Sequence, residues 1–153
     1  VTVRGLEGSV VGQYVYSLVP AAAFTTGGAS AALDAGGYGS LTAVATFSTG
    51  TLATSLRVWL QGSYDGGTTW YGLPLTNVFK TLVHNTGFAE AAGGLTANMP
   101  SLVVESTVVT TTAIYVGTVN NPPPHVRAAW NFAGASATQT FGITCVLSMG
   151  HAN

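Results

Sequence analysis

The sequence predicts an all-β chain, an antiparallel and jelly-roll-like β-sandwich formed as a single domain over residues 1–153. Three observations predict it. Apolar residues recur at every second position in several stretches, the mark of a strand with one face in a core. Glycine and proline clusters separate these stretches at hairpin and loop spacing. Thr, Val, Gly and aromatic residues dominate while helix formers are scarce.

In chain order, residues 1–8 read as an N-terminal arm able to lace onto a neighbour. Residues 10–19 are strand-like by composition with blurred parity, as expected of a strand covered on both faces. Leu41, Ala43, Ala45 and Phe47 alternate with Thr42, Val44, Thr46 and Ser48, a second strand. Leu56, Val58 and Leu60 alternate with Arg57, Trp59 and Gln61, a third. Asp65-Gly66-Gly67 supplies the positive backbone angles of a tight turn, so residues 55–64 and 68–75 are expected to form one hairpin. Residues 86–99 are rich in alanine, but Gly93-Gly94 argues for a loop. Residues 106–119 repeat the blurred strand pattern. Pro122-Pro123-Pro124 cannot continue a strand and stiffens the chain before the next one, where Val126, Ala128, Trp130 and Phe132 share a parity. The clearest strand is 139–149, with Phe141, Ile143, Cys145, Leu147 and Met149 expected to point inward.

Charge is the most unusual property of the chain. Only 6% of residues are charged, four Lys/Arg against five Asp/Glu, while 47% are hydrophobic. An ordinary domain is about one-quarter charged, and surface charge keeps a free protein dissolved. Much of the folded surface is therefore expected to lie against copies of itself or other subunits, a homo-oligomer in the simplest case. Arg4, Arg57, Lys80 and Arg127 are scattered, which gives no footprint for nucleic acid. No uninterrupted run of about 20 apolar residues exists, so no membrane span is expected. The start has no basic region followed by an apolar core, and no secretion signal is expected there.

Residues that could carry chemistry are sparse. The acids Glu7, Asp34, Asp65, Glu90 and Glu105 are far apart, and Asp34 and Asp65 have a ready role in turns. His84, His125 and His151 lack metal-ligand spacing. Cys145 is the single cysteine, placed among inward residues where a thiol behaves as a small hydrophobe. Phosphate-loop and nucleophile-elbow patterns are absent. No enzymatic activity, metal or cofactor is expected. The aromatic residues carry more weight. Trp59 has the parity opposite the core residues of its strand, and Trp70 and Tyr71 follow the turn. Exposed aromatics serve as anchors in a protein interface or as a stacking face for sugar rings. Trp59, Trp70, Tyr71, Pro122, Pro123 and Pro124 are the interface candidates, with a host glycan as the alternative partner.

The stretch LRVWLQGSYDGGTTWYGLPL at 56–75 resembles a hairpin of small β-sandwich structural proteins of tailed bacteriophages and gene transfer agents. PPHVRAAW at 123–130 and TQTFGI at 138–143 fit the later strands of that layout. The resemblance implies a virion component assembled in the host cytoplasm: a capsid decoration or cement protein, a head spike, or a tail- or connector-associated subunit. Its partners would be the major capsid or a tail protein and neighbouring copies. It implies no catalytic residue. The same hairpin also occurs in carbohydrate-binding jelly rolls and fibronectin-like modules, which keeps the glycan alternative open.

Overall fold

A computed structural model describes residues 12–50, 56–82, 103–105, 113–132 and 138–149. Eleven strands follow one another in these residues: β1 (Gln13–Phe24), β2 (Gly28–Ala29), β3 (Leu33–Asp34), β4 (Ser40–Gly50), β5 (Leu56–Ser63), β6 (Tyr71–Gly72), β7 (Thr76–Leu82), β8 (Val103–Glu105), β9 (Ala113–Asn120), β10 (His125–Phe132) and β11 (Gln139–Ser148). They form two antiparallel sheets packed face to face, a β-sandwich. The first is five-stranded in the order β1-β11-β4-β9-β7. The second has β10 beside β5 at its centre. Its borders are tiled by short pieces: β2 and β3 pair successive parts of β10, while β6 and β8 pair successive parts of β5.

The alternation in the sequence becomes the inner faces. From the first sheet come Leu41, Ala43, Ala45 and Phe47 of β4, Ala113, Tyr115 and Val119 of β9, and Phe141, Ile143, Cys145 and Leu147 of β11. The second contributes Leu56, Val58 and Leu60 of β5 and Val126, Ala128 and Trp130 of β10. Phe141 is the hub: its ring stacks on Phe47 at 5.1 Å and meets Trp130 edge-on at 5.6 Å and Phe24 at 4.7 Å. The Trp130 indole N–H donates to the Thr26 carbonyl, so its polar edge is satisfied within the core. Cys145 is buried, and burial pushes its thiol up to about 12. The thiolate, which is the nucleophile, is therefore unavailable near neutral pH.

Three expectations are corrected. The stretch 106–119, read as blurred, alternates in β9, with Ala113, Tyr115, Gly117 and Val119 buried and the residues between them half-buried. The blurred parity of β1 does not reflect cover on both faces: Gln13 to Ser17 are all exposed, because β1 borders the sheet. Its register shifts between Ser17 and Val19 and again between Val19 and Ala22, so inward residues fall out of step. Met149 lies past the end of β11 and is exposed, its side chain lying over Gly12. The expected arm at 1–8 and the loop at 86–99 fall outside the described residues.

The hairpin at 56–75 forms but is wider than a tight turn: only Gln61 and Gly62 pair, with Gly72 and Tyr71, and residues 64–70 make the loop between them. Gly66 and Gly67 take φ of 74° and 92°, where a side chain would strain the backbone. Buried Ser63 accepts from the Asp65 and Gly67 N–H groups and donates to the Asp65 carboxylate at 2.8 Å. The same carboxylate accepts from the Thr68 and Thr69 N–H groups at 3.1 and 2.8 Å. These donors favour the ionised form, the Thr69 main-chain bond first, and hold Asp65 at about 2 instead of 3.8. The turn is thus supported by the carboxylate above pH 3.8, and that support is lost as pH falls through about 2. A carboxyl NMR titration is expected to show Asp65 protonating near pH 2. A midpoint at the ordinary value would mean that the carboxylate does not cap the turn.

Candidate interaction surface

Side chains alternate across a strand, so every residue between the core positions of β5 and β10 stands on the outside of the second sheet. Register decides which of them meet. Arg57 lies opposite Asn131, Trp59 opposite Ala129, and Gln61 opposite Arg127. Ala129 in turn lies opposite Ala29 of β2. Ala129 is buried, at 5% exposure, and the Trp59 indole opposite it is half-buried, while Ala29 is exposed.

At the next outward pair along β5 and β10, the Arg127 Nε–H donates to the Gln61 Oε1 at 2.8 Å. The guanidinium carbon stands 4.2 Å from the centre of the Trp70 ring, a cation–π contact. Trp70 reaches there because the turn folds back, its ring edge coming within 3.3 Å of the place a side chain at Gly67 would occupy. Arg127 is therefore held from the side by an amide and from its face by an indole. Tyr71, at 57% exposure, lies next in the chain, opposite Gly62 on β5.

The proline loop divides by residue. Pro122 is half-buried and Pro124 exposed, whereas Pro123 is buried and is withdrawn as a contact residue. Its ring covers Gly62, where even a methyl group would collide with it. The loop is clasped on both sides: Asn121 N–H donates to the Gly39 carbonyl, and the Pro124 carbonyl accepts from Ala35 N–H, both at 2.8 Å. It anchors the start of β10.

Sequence reasoning placed Trp59 on the outer face but missed Gln61 and Arg127. Their shared parity with Trp59 and Ala129 was the available signal. Their meeting depends on a pairing between residues 66 apart.

The outer face of the first sheet bears a shallow groove of about 340 Å3 between β1, β11 and β4. Ser17, Thr46, Ser48, Thr140 and Thr144 line it with hydroxyls, and no titratable side chain is among its walls. Among the described residues no cluster of His, Cys, Asp or Glu is arranged to hold a metal, and no helix is long and apolar enough to cross a membrane.

No family model and no curated protein matches the chain. Among solved structures, the fold is similar to that in the crystal structure of the SPBc2 prophage-derived protein YomS, with a TM-score of 0.51 at 10% identity. The likeness covers 94% of this chain and 99% of that one.

Proposed function

We propose that the chain is a non-enzymatic structural subunit of a bacteriophage-like virion: a capsid decoration or cement protein that binds the shell and neighbouring copies. The observation that carries this reading is the outer face of β5 and β10, where the half-buried Trp59 lies opposite Ala129 and Arg127 is held by Gln61 and Trp70. Tryptophan, tyrosine and arginine dominate the binding energy of protein interfaces. A guanidinium already held in place loses less side-chain freedom on docking. The near absence of charge suits surfaces that tile without like-charge repulsion. A fold shared with a prophage-derived protein supports the phage setting. Its partners would be the major capsid or a tail protein. The glycan alternative would stack a sugar on Trp59 or Tyr71 and gains nothing from Trp70, one face of which Arg127 occupies.

Cryo-electron microscopy of purified particles is the direct test, with density for the sandwich expected on the shell, its β5–β10 face inward. Trp59→Ser and Arg127→Ala are each expected to weaken binding to undecorated particles about tenfold or more, with the thermal unfolding of the free protein little changed. Particles lacking the protein altogether, or a glycan array with a strong response lost in Trp59→Ser, would overturn the reading. Global unfolding of Trp59→Ser would show that indole to be a core residue.

A further inference from the structure

We propose that the outer edge of β1 is a pairing site for a second copy of this chain, joined antiparallel about a two-fold axis at Val15. The proposal deepens the contact between neighbouring copies and rests on the virion reading for its setting alone. Among the described residues no strand covers this edge. Tyr14, Val15 and Tyr16 are 47%, 67% and 37% exposed, an aromatic and β-branched triplet open to water. Long apolar edges template pairing with another chain, and proteins usually blunt them with charge, proline or bulges. The second sheet has its borders cut into short pieces. In β1 the register shifts and the proline fall only beyond Ser17, and residues 13–17 carry no charged side chain.

The occupant follows from the hydrogen-bond phase. Met149 N–H donates to the Gly12 carbonyl at 2.9 Å, which marks these two as a bonded pair. Bonded and non-bonded pairs alternate along an antiparallel ladder. With Gln13 opposite Ser148 and Ser17 opposite Thr144, Tyr14 and Tyr16 therefore bond to β11. Gln13, Val15 and Ser17 turn their N–H and C=O groups to the open side. These three match a second copy of themselves: Val15 pairs with Val15 and Gln13 with Ser17, about six main-chain bonds in all. Every other symmetric register leaves at least one of the three outside the pairing.

The side chains agree with this register. Tyr14 of one copy falls opposite Tyr16 of the other in the closely spaced, non-bonded positions, where aromatic pairs stabilise a ladder. Both tyrosines share a face with Leu147 and Cys145 yet are exposed, so β1 overhangs the second sheet and leaves room for a partner. With no charge on the strand, nothing repels a copy of itself. Beyond Ser17 the register shifts, and Pro20, which has no N–H to donate, blunts the rest of the edge. The pairing is thereby confined to residues 13–17 and joins two five-stranded sheets edge to edge.

Sedimentation equilibrium of the full chain tests the proposal without any particle. A concentration-dependent dimer is expected. Val15→Lys places two ammonium groups across the axis and is expected to raise the dissociation constant about tenfold or more. Val15→Pro removes an outward N–H that the β1–β11 ladder does not use and is expected to do the same with the fold retained by circular dichroism. Mixing Val15→Lys with Val15→Glu is expected to restore a dimer between the two variants. A monomer at every concentration, a higher oligomer, or a dimer indifferent to all three substitutions would overturn it. Trp59→Ser is expected to leave this dimer intact, so failure of particle docking and failure of edge pairing read out separately.

Discussion

Phe141→Ala is expected to lower the free energy of unfolding by about 3–5 kcal/mol. The ring is buried, lies near the start of β11 and touches aromatic rings from both layers: Phe47 on its own sheet, Trp130 across the interface and Phe24 at the edge. Removing it leaves a void bounded by rigid rings that cannot easily collapse into it, so the cavity adds to the lost transfer energy. Domains of this size are stable by only about 5–15 kcal/mol in total. The variant is expected to unfold at much lower denaturant concentration, as read by Trp fluorescence, and to lose the near-ultraviolet signature of packed aromatics. A loss below about 1 kcal/mol would show that the two layers do not meet through this ring.

Gly62→Ala is the second large effect, about 1–3 kcal/mol from overpacking. A Cβ at this position would collide with Pro123 Cγ and lie 2.8 Å from Leu73 Cδ2. The proline ring cannot rotate away, and its loop is held by main-chain bonds at Asn121 and Pro124. The strain therefore passes to the start of β10, two residues before the guanidinium that Gln61 and Trp70 hold. Weakened particle binding is expected to accompany the loss of stability. Gly36→Ala is the control, because its nearest neighbour would be Asp34 Oδ1 at an ordinary 3.4 Å. It is expected to change stability by less than about 0.5 kcal/mol. Equal denaturation midpoints for the two variants would mean that Pro123 does not seat on Gly62.

Local patterns foretold local structure. The parity of Leu56, Val58 and Leu60 predicted that Trp59 would leave the core, and it does so on the outer side of β5. Asp65-Gly66-Gly67 predicted positive φ at the turn, which Gly66 and Gly67 take, whereas the bonds from the Thr68 and Thr69 N–H groups to the Asp65 carboxylate were visible only in the folded loop. The alternation at 139–149 held until the strand ended, and Met149 departed because only a strand imposes that period. Pro123 misled because a proline in a loop looks exposed on paper, whereas its ring filled the space above a glycine on another strand.

By itself the sequence determined which residues turn inward and where the chain reverses. Both follow from the extended backbone and from a few neighbouring side chains. Tertiary structure alone decided which strands lie side by side. That choice set Arg127 between Gln61 and Trp70, set Trp59 against Ala129, and left β1 at a border with its tyrosines in water. The physical reason is that the ladder is built from main-chain groups nearly identical at every residue. Neighbour and register are therefore selected only when distant side chains pack together in the closed sandwich.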